Sequence, residues 1–161
     1  MEHENIAFRK AQIHEINDIH FVLSKAFEPY KKYYTNGALN ATVLTPSVIR
    51  DRIVNKKYEI FVVTINKHIV GTVSLSKKDK DQLYIRSMAV HPDHQKRGVG
   101  LFILKKINEL AKRKNIKTIS LDTSKPLKRA INFYKNFGFK FTGENKNYYG
   151  IEIYKMQKES D

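Results

Sequence analysis

The 161-residue sequence has no cysteine and no tryptophan, only four prolines and seven glycines, and 16 acidic residues against 30 basic ones. Without cysteine there is no disulfide, no thiolate metal site and no cysteine nucleophile, which fits a cytoplasmic protein. No apolar run approaches the ~20 residues that span a bilayer, so no membrane segment is expected. The start, Met1-Glu-His-Glu-Asn5, has charges with no apolar stretch behind them and does not read as a secretory signal. No repeat, low-complexity tract or Pro/Gly linker divides the chain. Residues 1–161 therefore read as a single domain, long enough to bury a core.

Nine phenylalanines and nine tyrosines are spread along the chain, which excludes a disordered basic tail. The shortage of acid leaves a formal net charge of +14. Residues 95–146 hold 14 Lys and Arg against Glu109, Asp122 and Glu144, so most of the excess sits there. Such asymmetry points to an anionic partner: nucleic acid, an anionic membrane or a phosphate-bearing small molecule.

Periodicity gives the elements. Ile6–Lys10 alternates as a short strand, and Ile13, Ile16, Ile19, Leu23 and Phe27 recur at helical spacing. Residues 28–44 show no clear period. Thr45-Pro46 is an N-cap followed by proline at the first helical position, opening a helix to about Asn55. Tyr58–Ile65, a turn at Asn66-Lys67 and His68–Ser76 form a hairpin, and Lys77–Asp81 is a polar turn. Leu83–Val90 is mostly apolar and is expected at the centre of the sheet. An amphipathic helix over Val99–Lys114 follows, then a strand at Thr118–Leu121. Ser124 or Lys125 is expected to cap a helix from Pro126 that buries Leu127, Ala130, Ile131, Tyr134 and Phe137 and stops at Gly138. Phe139–Thr142 and Gly150–Met156 are the last strands, and Gln157–Asp161 reads as a frayed tail. The order β-α-α-β-β-β-α-β-α-β-β describes a mixed α/β sheet with helices on its faces.

The chemistry concentrates in Met88-Ala-Val-His-Pro-Asp-His-Gln95-Lys-Arg-Gly98-Val-Gly100. A strand ends near Val90, Pro92 breaks its ladder, and Gly98 and Gly100 open the long helix. Glycine lets the backbone approach a ligand, the free amides of a helix start point into the loop, and the helix dipole adds positive charge there. Lys96 and Arg97 add full charges. This is a phosphate cradle. It is not a P-loop, because no Lys-Ser/Thr follows, nor a dinucleotide fingerprint, because the third glycine is missing.

These residues resemble the GNAT superfamily of acetyl-CoA-dependent N-acetyltransferases. Gln95-Lys-Arg-Gly98-Val-Gly100 is similar to that family's R/Q-x-x-G-x-G/A motif, and Met88-Ala-Val-His-Pro to its strand end. Ala130-Ile-Asn-Phe-Tyr134-Lys-Asn-Phe-Gly138-Phe is similar to its A-x-x-F-Y-x-x-x-G-F segment. The agreement is specific over residues 83–142 and rests on element order over 1–80. The resemblance implies the GNAT fold, a mostly antiparallel mixed sheet of six to seven strands flanked by four helices. It also implies acetyl-CoA as co-substrate and a primary amine as acceptor, with direct attack in a ternary complex. The backbone of Met88, Ala89 and Val90 would hold the pantetheine arm, on a strand splayed from Ile116–Leu121. The amides of Gln95, Lys96, Arg97, Gly98, Val99 and Gly100 would hold the pyrophosphate. Tyr134 would be the general acid for the departing thiolate. Many relatives carry an asparagine at the start of the helix before the tyrosine; here the matching stretch is Ser124-Lys-Pro-Leu127, so that coenzyme A contact is either absent or made by Ser124 or Asn132.

Many relatives also place a glutamate on the central strand as base, and Leu83–Met88 has none. Tyr84, Glu59, Glu152 and His91 are the candidates. The acceptor would meet Tyr30, Tyr33, Tyr34, Tyr148, Tyr149 and Glu152, in a slot open to a small amine, a polyamine or a peptide amine. His91 with His94, and His14 with His20, lack metal-ligand spacing, so no metal is expected. Two other readings compete. A basic nucleic-acid-binding module is disfavoured by the absence of any recognition signature. An acetyl-CoA sensor without turnover is disfavoured by Tyr134. A homodimer is compatible with the sequence. Coenzyme A carries roughly four negative charges, which Lys96, Arg97, Lys125, Lys128 and Arg129 would suffice to meet.

Overall fold

A computed structural model describes residues 5–161; residues 1–4, and with them most of the charged start, lie outside the described residues. Seven strands form one sheet: β1 (Ile6–Lys10), β2 (Tyr58–Ile65), β3 (His68–Asp79), β4 (Gln82–Val90), β5 (Thr118–Thr123), β6 (Lys140–Tyr148) and β7 (Ile151–Glu159). Their order across the sheet is β1-β2-β3-β4-β5-β7-β6, antiparallel except for the β4–β5 pair. β4 is the central strand, as its mostly apolar sequence leads one to expect.

Helix α1 (Ile16–Phe27) covers one face and α4 (Val99–Arg113) the other. β2 shows how the strands serve both faces. Ile60 and Val62 pack with Ile19, Val22 and Leu23 of α1, while Phe61 and Val63 pack with Ile103, Leu104 and Ile107 of α4. Those three residues of α4 are essentially inaccessible, and each such side chain contributes about 1.5–3 kcal/mol over an exposed position.

One helix beyond those expected follows α1, inside segment 28–44, whose lack of a period gave no sign of it. A 3-10 turn (Glu28–Tyr33) leads to α2 (Asn36–Thr42), then to α3 (Pro46–Val54). α2 is two turns long and buries only Ala38, so it writes no apolar stripe into the sequence. Its signal was the N-cap, since Thr35 Oγ1 accepts from the Ala38 amide at 3.1 Å. The expected four helices are thus five, α5 (Lys128–Phe137) being the last.

Three other expectations shift. α5 starts at Lys128 rather than Pro126 and has no side-chain cap, because Lys125-Pro126 is spent in a turn and Leu127 sits at φ −84°, ψ 56°. β3 extends through Lys77 to Asp79. The tail is a strand rather than frayed: β7 runs to Glu159, Lys158 is buried, and the Ser160 hydroxyl donates to the Ile116 carbonyl at 2.6 Å.

Candidate active site

β4 and β5 pair only where Gln82–Tyr84 faces Thr118–Ser120. Past Ser120, β5 stays with β7, while β4 carries Ile85–Val90 away with β3. Opposite β3, β4 has one extra residue between Arg86 and Ala89, a bulge with Ser87 at φ 47°. A bulge sharpens local twist, and this one falls where the two parallel strands part. The gap is a cleft of about 750 Å³, the size of a small-molecule site.

One end of the cleft is the start of α4. Gly98 caps the helix at φ 83°, a left-handed conformation that glycine adopts without cost. Gly100 serves a different purpose: a Cβ there would lie 3.2 Å from Cζ of Phe133, so a larger residue would have to displace the Phe133 ring by a few tenths of an ångström. Among the described residues, the amides of Lys96, Arg97, Gly98, Val99 and Gly100 have no backbone acceptor, whereas the Gln95 amide donates to Pro92 at 3.3 Å. Gln95 instead ties the loop to the strand end, donating from Nε2 to the Val90 carbonyl at 2.9 Å. Met88, Ala89, Val90, Gln95, Lys96, Gly98, Gly100 and Ser124 all line the cleft. Arg97, Val99 and Asn132 do not: Val99 is buried beneath the helix, and Arg97 and Asn132 point outward. Of the five cations assigned to coenzyme A, Lys96 and Arg129 line the cleft.

Tyr134 of α5 lines the cleft, its ring 5.7 Å from Phe133 and 5.8 Å from Phe139. The apolar stripe of α5 expected in a closed core is only half-buried, and Leu127, Ala130 and Tyr134 of it line the cleft, whereas Ile131 and Phe137 do not. Burial pushes the Tyr134 hydroxyl up to about 12, with a smaller contribution from nearby Tyr34. Burial also raises Tyr34, which the neighbouring Ser124 hydroxyl partly offsets.

Aromatic side chains and one cation of the other end come from three segments. Tyr30 and Tyr34 come from the segment after α1, and Arg52 comes from α3. Tyr148 and Tyr149 come from the β6–β7 turn. That turn is docked on the start of α2, where Thr35 Oγ1 donates to the Tyr149 carbonyl and Gly37 packs on the Tyr149 ring. Tyr33 and Glu152 stay outside the cleft.

None of the four candidate bases lines it. Glu59 pairs with Lys114 at 3.0 Å and Lys10 at 3.4 Å. Glu152 accepts from Asn145 at 2.7 Å, and the His91 ring stacks on Phe21. The Tyr84 hydroxyl donates to Asp122 Oδ1 at 2.8 Å, and burial first, then this bond, holds its proton far more tightly than usual. Among the described residues, Asp122 is the one carboxylate lining the cleft. Sequence reasoning missed it, together with Arg52 and Arg86. The available signals were an acid ending an apolar strand (Leu121-Asp122-Thr123) and an arginine inside one (Ile85-Arg86-Ser87). Among the described residues no cluster of three or more His, Asp or Glu is gathered for a metal, and no helix is long and apolar enough to cross a membrane.

Comparison with known proteins gives consistent results. The sequence profile described as Acetyltransferase (GNAT) family matches residues 21–139. A curated relative, probable N-acetyltransferase 14 of Xenopus tropicalis, is 37% identical over 76 residues, covering 47% of this chain and 37% of that protein. The chain therefore matches well under half of that relative's length. The structure is similar to PaiA N-acetyltransferase of Thermoplasma acidophilum in complex with coenzyme A, with a TM-score of 0.82 at 16% identity over 96% of this chain and 99% of that one. It is also similar to the ribosomal-protein-S18-alanine N-acetyltransferase of Escherichia coli, with a TM-score of 0.78 at 16% identity over 98% and 95%. At such identities the likeness is one of fold.

Proposed function

The chain belongs to the acetyltransferase (GNAT) family, and we propose that it moves the acetyl group of acetyl-CoA to a primary amine, with both substrates bound at once in the cleft between β4 and β5. The observation that carries this reading is the parting of two parallel strands beside a run of five unpaired amides at a helix start. A pyrophosphate fits those amides, with Lys96 beside them and Arg129 across the cleft on α5. The pantetheine arm fits the wedge, where the β4 edge offers backbone groups that β5 has left unpaired.

Acetyl-CoA supplies an activated thioester, so a C–N bond forms as the C–S bond breaks. The protein has three tasks. It aligns the amine with the carbonyl, which by itself supplies much of the rate. It directs backbone amides of β4 at the oxygen where charge develops. It donates a hydrogen bond from Tyr134 to the departing sulfur, a role open to a tyrosine that lines the cleft and stays protonated. The amine must also lose a proton, and Asp122 is the carboxylate in reach, directly or through water. No step needs a covalent enzyme intermediate, in keeping with a chain that lacks cysteine.

The experiment is calorimetric titration with acetyl-CoA of the protein and two variants, beside a thiol-release assay over a panel of amines. A Cβ at position 98 meets nothing within 4 Å, so Gly98→Ala adds only the backbone strain of a positive φ. Gly98→Glu adds the same strain and a carboxylate at the phosphate site. Gly98→Ala is expected to bind within about tenfold of the parent, a strain of roughly 1–2 kcal/mol. Gly98→Glu is expected to lose binding. Equal affinity of the two variants would overturn the cradle.

A further inference from the structure

The acceptor end of the cleft carries cations where a site for a simple amine or polyamine would carry acids. Arg86 breaks the apolar run of β4 two residues before Met88, about 7 Å along the strand. Its guanidinium lies on the Tyr84 ring, Cζ 3.9 Å from the centroid, and its Nε is buried without a hydrogen-bond partner. Its nearest carboxylate, Asp122, stands 3.6 Å from Nη1 and is shared with Lys146 at 3.5 Å and the Tyr84 hydroxyl. Arg52 reaches the same cleft from α3. Its Cζ sits 4.3 Å from the Tyr58 ring centroid, and its Nη1 is buried without a partner. Among the described residues no carboxylate is within ion-pair distance of Arg52. Burial chiefly lowers its pKa, Tyr58 opposes that and the charge of Arg86 adds to it, and both arginines line the same cleft.

Two cations held by aromatic rings, with buried donors unmet, cost free energy unless an anion joins them. Guanidinium groups suit planar carboxylate or tetrahedral phosphate through paired N–H donors. We propose that the acceptor amine carries a carboxylate or phosphate a few bonds from its nucleophilic nitrogen, and that Arg52 and Arg86 bind that group while the nitrogen faces the Met88 end of the cleft. The inference rests on the acetyltransferase reading. It excludes polyamines as preferred acceptors, because their second ammonium would meet like charge.

The test titrates the whole protein, saturated with coenzyme A, with glutamate, phosphoethanolamine, ethanolamine and spermidine at millimolar concentration. Thiol release from acetyl-CoA is measured with the same amines. At least one anionic amine is expected to bind about tenfold or more tighter than ethanolamine and spermidine, the usual weight of a hydrogen bond to a charged group. Glutamate against phosphoethanolamine separates carboxylate from phosphate. Arg52→Gln and Arg86→Gln should each cost about tenfold or more in the affinity and KM of the anionic amine, with acetyl-CoA affinity unchanged. Arg52→Lys should recover part of the loss. Spermidine or ethanolamine binding as well as the anionic amines would overturn the proposal and leave the acetyltransferase reading standing. So would no anionic amine binding, or glutamine variants that bind like the parent. Failure of the parent to bind acetyl-CoA would overturn both.

Discussion

Replacing Tyr134 with phenylalanine tests the chemistry most directly, because it removes one oxygen and keeps the ring that packs 5.7 Å from Phe133 and 5.8 Å from Phe139. The size of the effect follows from the acidity of the hydroxyl, which burial pushes up to about 12. An ordinary thiol has a pKa near 8.5, so complete transfer of the tyrosine proton to a thiolate runs uphill by about 3.5 units, or roughly 5 kcal/mol. Tyr134 therefore acts chiefly as a donor whose hydrogen bond strengthens as charge builds on sulfur. A bond to a charged acceptor contributes about 1.5–3 kcal/mol. Tyr134→Phe should thus lower kcat by about 10- to 150-fold, short of the 10⁴-fold that complete general-acid catalysis can reach. Acetyl-CoA affinity and unfolding midpoint should hardly move, because a half-buried hydroxyl without a protein partner adds little to either. Thiol release under saturating substrates, with calorimetry for the binding constant, measures both quantities. An unchanged kcat, or a fall in affinity as large as the fall in kcat, would refute the assignment.

Other consequences are separable from catalysis. Tyr34, Tyr84, Tyr134 and Tyr148 are all raised by burial, so they should ionise later than they do in the unfolded chain. Ultraviolet titration of the native protein should show a delayed fraction that vanishes on unfolding. The folded chain then keeps protons that the unfolded chain releases, so stability should fall as pH rises beyond about 10. Coincident native and denatured titration curves would contradict this. Glu15, buried at the start of α1, accepts from Arg9 at 2.8 and 2.7 Å and from the Gln12 amide at 2.8 Å. The Arg9 bonds chiefly hold its carboxyl below the usual 4.5. Glu15→Gln should cost about 1–3 kcal/mol in urea unfolding at neutral pH. Because the native pKa is depressed, that stability is present above 4.5 and is lost as pH falls through the native value, so parent and variant should converge in acid. Equal midpoints at neutral pH would refute the role given to the pair.

The legible parts of the fold are those where one residue pattern answers to one physical demand. Thr45-Pro46, the Asn66-Lys67 turn and the stripe of α4 appear where expected, because capping, turn geometry and burial are each local. α2 was hidden because a two-turn helix with one buried residue has no period to show. The stripe of α5 was legible but ambiguous. An apolar face that lines a cleft is written in the same residues as one that closes a core, and only the parting of β4 from β5 distinguishes them. The glycine loop was legible because it demands particular backbone freedom at particular positions. The acceptor end was not, because its residues come from α3, β4, β5 and the β6–β7 turn and meet only in space.

The excess positive charge separates the same way. Most of the cations of residues 95–146 stand on outer faces, as Lys105, Lys112, Arg113 and Lys117 do, where solvent screens them and no ligand is implied. Two of that segment, Lys96 and Arg129, line the cleft at the end suited to phosphates. The two arginines at the opposite end, Arg52 and Arg86, lie outside the basic segment and were invisible to a count of charge along the chain. What distinguishes them is cost: a solvated lysine gives up nothing, whereas a guanidinium with a buried, unpartnered nitrogen has lost hydration without replacement. Charge density along the sequence therefore marks the phosphate end of the cleft at best, while the unmet donors mark where the acceptor's own negative charge belongs.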